Sequence, residues 1–270
     1  MLTQKKASPP TLKAQLKLHK TDIPVCPVIN NRTAPAYKLA RYLTKILDQY
    51  ISLNDYFSVT NSTKLANDLM KLQIHEVHKM ISFDIKDLYV NILIDKTLNI
   101  VKTKLLQNNN IQKTYQMLSL LKVILSQLFH VSTKNLSTCT GYFYGVTNAN
   151  IKQLLDMKSI ALYVQYVDDI LVIYDTTKIN LHTINTYINK IHNNIKLNTT
   201  HEEHNSIAFF DLTITRRHTK LEVDIYRKPT TTDTTINFLS NHPIEQKIAA
   251  FRFHITRMHS LALNPDKKNK

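Results

Sequence analysis

Glycine is nearly missing from this chain. Only Gly141 and Gly145 occur in 270 residues, where an average usage near 7% would supply roughly 19. That excludes a domain which turns on glycine in the ordinary way. Two explanations remain: asparagine takes the turns, which the many Asn residues permit, or glycine-bearing loops have been lost. Cysteine is equally sparse. Cys26 and Cys139 lie far apart, neither in a metal-ligand or redox spacing, which excludes a disulfide framework and points to a reducing compartment. Long apolar runs are absent too. No segment approaches 18 uncharged apolar residues, so no membrane-spanning helix is expected. The opening MLTQKKASPP lacks the apolar run of a signal peptide, and the expected address is nucleus or cytoplasm. Finally, acidic residues are outnumbered: 20 Asp and Glu against 35 Lys and Arg leave a formal charge of +15. Such a surplus favours a polyanionic partner such as nucleic acid, although a generic basic protein has the same balance.

What is present suffices for one sizeable core or two small ones, since 43% of the residues are hydrophobic and spread along the chain. Residues 11–29 read as extended or irregular chain, with Lys13, Lys17, His19 and Lys20 interleaved. The recurrence of Leu39, Tyr42, Leu43, Ile46 and Leu47 predicts a helix opening near Pro35, and Leu65, Leu69 and Leu72 predict another over 63–72. Further helices are predicted over 116–129, 178–192 and from Pro243 onward. Alternation of Ile81, Phe83 and Ile85 with Ser82 and Asp84 predicts a half-buried strand. Strands are also expected near 161–167, 170–174, 207–215 and 221–226, the last two joined at His218-Thr219-Lys220. His75 with His78, and His201 with His204, are spaced i, i+3 but have no third ligand at a convincing distance in sequence.

The chemistry concentrates on ALYVQYVDDILVIY, where Asp168 and Asp169 stand between two apolar runs as the turn of a β-hairpin. Adjacent carboxylates on a sheet edge repel one another, and nothing basic sits within the hairpin. A divalent cation would resolve this, because hard oxygen ligands suit Mg²⁺. Asp84 would add a carboxylate if its strand lies beside the hairpin. The competing reading makes all three ordinary turn aspartates, and the residue pattern alone leaves both open.

YVDD at 166–169 resembles the catalytic signature of reverse transcriptases. The wider chain resembles those of Penelope-like retroelements, relatives of telomerase reverse transcriptase. The matching segments run in order: LKLHKTDIPVCPVIN (16–30), RTAPAYKLARYLTKIL (32–47), FDIKDLYVNI (83–92), FFDLTI (209–214), DIYRKPTTTD (224–233) and SNHPIEQKIAAFRFHITRM (240–258). The resemblance implies an α+β fold of right-hand fingers and palm, an antiparallel palm sheet with helices packed on one face. It implies partial fingers over 1–79, a palm over 80–226, and a primer-gripping end with the start of a thumb over 227–270. It also implies RNA-directed DNA polymerase activity on an RNA template and a DNA primer or target DNA, using dNTPs and two Mg²⁺ ions, or Mn²⁺ in their place. Asp84 and Asp168 would be the metal-binding carboxylates, Asp169 the supporting acid, and the Ile85 carbonyl a further ligand. Tyr166 would lie beside the primer terminus. Lys17 and Lys20 would approach the triphosphate or template, and Tyr226, Arg227 and Lys228 would hold the primer.

The chain also departs from that family. The G-x-x-M-G-S-P loop expected between Asp84 and Asp168 is replaced by GYFYGVTNANIKQLL, in a shortened segment at 130–160. Cys26 stands where an arginine would meet triphosphate, and Gln165 where arginine often precedes YVDD. Leu16 and Phe210 are further replacements. Positioning accounts for most of phosphoryl-transfer catalysis, so a nucleic-acid-binding remnant without chemistry, or a functionless product of a decayed element, is the alternative.

Overall fold

The computed structural model describes residues 6–16, 23, 25–50, 57–86, 94–108, 111–128, 158–189, 196–228 and 235–260. In chain order they form β1 (Thr11–Leu16), β2 (Val25–Asn30), α1 (Tyr37–Tyr50), α2 (Ser62–Lys71), β3 (His78–Lys86), α3 (Ile94–Asn108) and α4 (Ile111–Leu128). There follow β4 (Ile160–Tyr166), β5 (Asp169–Asp175), α5 (Leu181–Asn189), β6 (Lys196–His201), β7 (Ser206–Phe209), β8 (Leu212–Arg217), β9 (Lys220–Ile225) and α6 (Ile244–Ser260). The chain divides into two compact units, one of residues 1–56, 86–150 and 187–196, the other of 57–85, 151–186 and 197–270.

The first unit holds a hairpin and three packed helices. β1 and β2 pair antiparallel, Thr11 opposite Asn30 through Leu16 opposite Val25. The helices bury one cluster: Leu43 and Leu47 from α1, Val101 and Leu105 from α3, and Met117, Leu121, Ile124 and Leu125 from α4. Each set recurs at three to four residues, the period that puts side chains on one helical face. Lys17 and Lys20 lie outside the described residues, as does the segment 130–157.

The second unit holds a four-stranded sheet in the order β4-β5-β3-β6 and a three-stranded sheet in the order β7-β8-β9. β5 is central, and its Ile170, Leu171, Val172 and Ile173 are buried to 0% exposure, on both faces of the sheet. The outer edge of β4 is met by residues 57–59, with Val59 N–H donating to the Gln165 carbonyl and Gln165 N–H to that of Phe57. Helix α2 begins at Asn61, whose side chain accepts from Lys64 N–H at 2.8 Å as an N-cap. Its Leu65, Ala66 and Leu69 join Met80, Leu171 and Ile173 of one sheet and Ile207, Phe209, Leu212, Ile214, Leu221 and Val223 of the other in a single core. Arg216 pairs with Glu202 at 2.8 Å, and the other Glu202 oxygen accepts from Met80 N–H at 2.9 Å. Among the described residues no helix is long and apolar enough to cross a membrane.

One expectation is corrected. Residues 207–215 are not one strand but β7 and β8, folded back at Phe210 and Asp211. Among the described residues, positive φ falls on Ile23, Lys158, Val167, His204, Asn205, Phe210, Asp211 and His218, only one of them Asn. Bulky and even β-branched side chains occupy left-handed backbone that glycine would enter without steric cost.

Candidate active site

The acidic hairpin is built as the alternation demands. β4 and β5 pair antiparallel up to Tyr166 opposite Asp169, so Val167 and Asp168 form a two-residue turn and Asp169 is the first residue of β5. Positive φ at the first central residue is the habit of hairpin turns that favour glycine there; here that residue is Val167, at φ 54°. Strain of this kind costs about 1–3 kcal/mol and persists only where surrounding structure enforces it. Gln165 does so. Its side chain is fully buried, its Nε2 donates to the Val167 carbonyl at 3.0 Å, and its Oε1 accepts from the Tyr163 hydroxyl at 3.2 Å.

β3 lies on the other side of β5. Their antiparallel register ends with Asp84 directly opposite Asp169, and facing residues of such a pair share one face of the sheet. One residue further, Ile85 N–H donates to the Asp168 carbonyl at 2.9 Å, tying the turn to the end of β3. Asp84 is thus brought beside Asp169 and the Asp168 turn from across the whole middle of the sequence. Asp84 also accepts a hydrogen bond from the Asn198 amide at 3.3 Å.

Electrostatics register the crowding. Asp169 is pushed up to about 6, chiefly by burial, then by the negative charges of Asp168 and Asp84. Lys228 opposes the rise and Asp211 adds to it. Lys228 is therefore close enough to act on the acidic site although it lies beyond the end of β9.

Asp211 was not legible in sequence as part of this neighbourhood. It sits with Phe210 in the β7–β8 turn, between paired Phe209 and Leu212, and both central residues have positive φ, 47° and 61°. Such turns are ordinarily announced by Asn-Gly; Phe-Asp gives no such notice. Three contacts hold the turn. The Phe210 ring stacks on Tyr166 at 3.7 Å between centroids and 26° between planes. Tyr226 N–H donates to the Asp211 carbonyl at 2.9 Å. Arg257 of α6 donates Nη2 to that carbonyl at 2.7 Å and reaches the Asp211 carboxylate at 3.4 Å. Tyr166 and Tyr226 are thereby linked to the Phe210–Asp211 turn, and Arg227 and Lys228, both exposed, follow just past β9.

Among the described residues no group of three or more His, Cys, Asp or Glu side chains converges as a metal cage. Mg²⁺ needs no such cage: it is commonly held by one or two carboxylates, with waters and substrate phosphates completing the shell. Two facing carboxylates and a third in the adjoining turn are donors of the hard-oxygen type that fits this mode.

The fold of the chain is mixed α+β, with antiparallel sheets and packed helices, and it is similar to that of telomerase structures. No family model and no curated protein matches the chain, so the likeness rests on solved structures. Telomerase from Candida tropicalis in complex with a TWJ fragment of telomeric RNA is matched at 14% identity and TM-score 0.56, over 96% of this chain and 49% of that one. Apo telomerase from the same organism is matched at 15% identity and TM-score 0.53, over 83% of this chain and 50% of that one. For telomerase from Candida albicans the figures are 14%, 0.51, 82% and 42%. The chain thus spans about half the length of the first telomerase chains it matches.

Proposed function

We propose that the chain is the fingers and palm of an RNA-directed DNA polymerase of the Penelope-like type, with fingers over 1–79, palm over 80–226, and the primer-gripping end and start of a thumb over 227–270. The observation that carries this reading is the register of β3 and β5, which sets Asp84 opposite Asp169 beside the Asp168 turn. A purely structural turn would have no use for carboxylates crowded until one of them is pushed up to about 6.

On this reading Asp84 and Asp168, with the Ile85 carbonyl, hold two Mg²⁺ ions or Mn²⁺, and Asp169 supports them. Bound there, the metal would lower the pKa of a primer 3′-hydroxyl and offset charge on the phosphoryl group in transfer. The residues themselves perform the positioning. Tyr166, stacked on Phe210, presents a flat surface beside the turn for the primer terminus. Tyr226, Arg227 and Lys228 follow β9 as a hydroxyl and two cations suited to backbone phosphates. Lys17 and Lys20 complete the proposal on the side of the triphosphate or template.

The test is extension of a labelled DNA primer on an RNA template, with dNTPs and the purified chain, with and without Mg²⁺. Metal-dependent incorporation is the expected result. A second reading, a nucleic-acid binder without chemistry, is favoured by one specific observation: the G-x-x-M-G-S-P element is absent between Asp84 and Asp168. Tight, salt-sensitive binding of the same primer–template without incorporation would select it.

A further inference from the structure

Asp84 stands in a row of facing residues that crosses the sheet of the second unit. On one side β5 sets Asp169 opposite it. On the other side lies β6, the edge strand of the order β4-β5-β3-β6. Just past the end of β6, Glu202 N–H donates to the Met80 carbonyl at 3.3 Å, and the Glu202 carboxylate accepts from Met80 N–H at 2.9 Å. Four residues onward along β3 is Asp84, and four residues back along β6 is Asn198. The Asn198 amide Nδ2 donates to Asp84 Oδ2 at 3.3 Å. The two contacts run in opposite senses, as in an antiparallel pair, so Asn198, Asp84 and Asp169 are cross-strand neighbours.

We infer that Asn198 is a positioning residue for the proposed metal site: its amide commits one oxygen of Asp84, so that the carboxylate offers a cation one oxygen rather than two and favours Mg²⁺ over Ca²⁺. The inference rests on the metal-binding reading above and deepens it. Mg²⁺ demands near-octahedral geometry and keeps several waters, whereas Ca²⁺ accepts bidentate carboxylates in larger, more flexible shells. A carboxylate with one oxygen already engaged suits the first ion better than the second.

Residue type supports this role. Asparagine is depleted in strands, yet β6 reads Lys-Leu-Asn-Thr-Thr-His and leaves Asn198 exposed on the edge of the sheet. An uncharged donor orients a carboxylate without cancelling the charge that attracts a metal. Acids elsewhere in this unit are given cations instead. Glu202 pairs with Arg216 at 2.8 Å, Asp175 with Lys178 at 3.4 Å and Asp211 with Arg257 at 3.4 Å. A lysine or arginine in the place of Asn198 would compete with a metal for Asp84; an amide does not. Carboxylates that ligate metals are commonly held by such outer hydrogen bonds, whose loss costs about 10–100-fold in metal affinity or activity.

The test is the rise in melting temperature of the full chain over Mg²⁺ and Ca²⁺ titrations, without primer or dNTPs, which reports the affinity for each ion. Asn198→Val, which suits a strand and cannot donate, is compared with the parent and with Thr199→Val on the other face of β6. Asn198→Ala serves as a second variant should valine disturb the edge strand, and Asp84→Asn shows how much of the rise comes from the acidic site. Loss of the amide should weaken Mg²⁺ binding by about tenfold, the lower end for such a partner, with Ca²⁺ affinity little changed. Thr199→Val should match the parent. Unchanged Mg²⁺ affinity in the Asn198 variants would overturn the inference. Equal losses of Mg²⁺ and Ca²⁺, or the same loss in Thr199→Val, would overturn it too and make Asn198 an ordinary member of β6. A parent that responds to neither ion, or that responds no more than Asp84→Asn, would sink the metal-binding reading itself and the inference with it.

Discussion

The two ends of β5 carry one aspartate each, and they are treated in opposite ways. Asp175 is satisfied. Thr177 donates both its hydroxyl and its N–H to Asp175 Oδ1, and Lys178 stands 3.4 Å from Oδ2. These hydrogen bonds, Thr177's foremost, hold the Asp175 carboxyl down at about 2 against the opposing effect of burial. Asp169, six residues along the same strand, is pushed up to about 6 by burial and by Asp168 and Asp84. One end is a finished turn; at the other, Lys228 only partly offsets the burial and the neighbouring negative charges. A chain selected for stability alone would have furnished Asp169 with a Thr177 and a Lys178 of its own. On the proposed reading, the difference marks one end as structural and the other as the place of the chemistry.

The largest effect expected from breaking that contrast is at Asp84. Asp84→Asn should reduce Mg²⁺-dependent primer extension to background while leaving the far-ultraviolet circular dichroism unchanged, and retained extension would remove Asp84 from the site. Arg257→Gln comes next. It frees the Phe210–Asp211 turn, which stacks on Tyr166, and misplacement of about 1 Å can cost roughly 10²-fold. A drop in kcat with little change in melting temperature is expected, and rescue by Arg257→Lys should be partial, since lysine cannot reproduce the two-point contact.

A smaller effect separates the two carboxylates by pH. Because Asp169 binds its proton more tightly folded than unfolded, its contribution to stability is intact below about pH 4 and is lost as pH rises through about 6. Asp169→Asn should therefore melt higher than the parent above pH 6 and alike near pH 4, and Mg²⁺ should raise the parent's melting temperature more than the variant's. Asp175 has the opposite sign. Its contribution is present above the ordinary carboxylate range and lost as pH falls through about 2. Asp175→Ala should lower the melting temperature by a few degrees at neutral pH, an effect that vanishes in strong acid.

The contrast was only partly legible in the sequence. β3, β4 and β5 declare themselves by alternating or continuous apolar runs, and α1, α2 and α4 by a helical period. Asp84, Asp168 and Asp169 stand out because acids between apolar strands demand explanation. Helix α3 carries Leu98, Val101 and Leu105 at helical spacing, yet it is not among the helices expected from the sequence. β6 is polar Lys-Leu-Asn-Thr-Thr-His and has no apolar face to betray it. The β7–β8 turn was concealed by residue type: Phe210 continues an apolar run, and nothing local reveals that it enters left-handed backbone. Arg257 and Asp211 meet across 46 residues of sequence. That distance is closed by tertiary structure, so only the folded chain brings them to the neighbourhood of the acids.

The most direct measurement sets Asp168→Asn beside Asp175→Asn in one RNA-templated single-nucleotide incorporation assay with Mg²⁺. The account expects incorporation to vanish in Asp168→Asn and to persist in Asp175→Asn. Equal incorporation by the two variants would contradict it and make both ends of β5 ordinary turns.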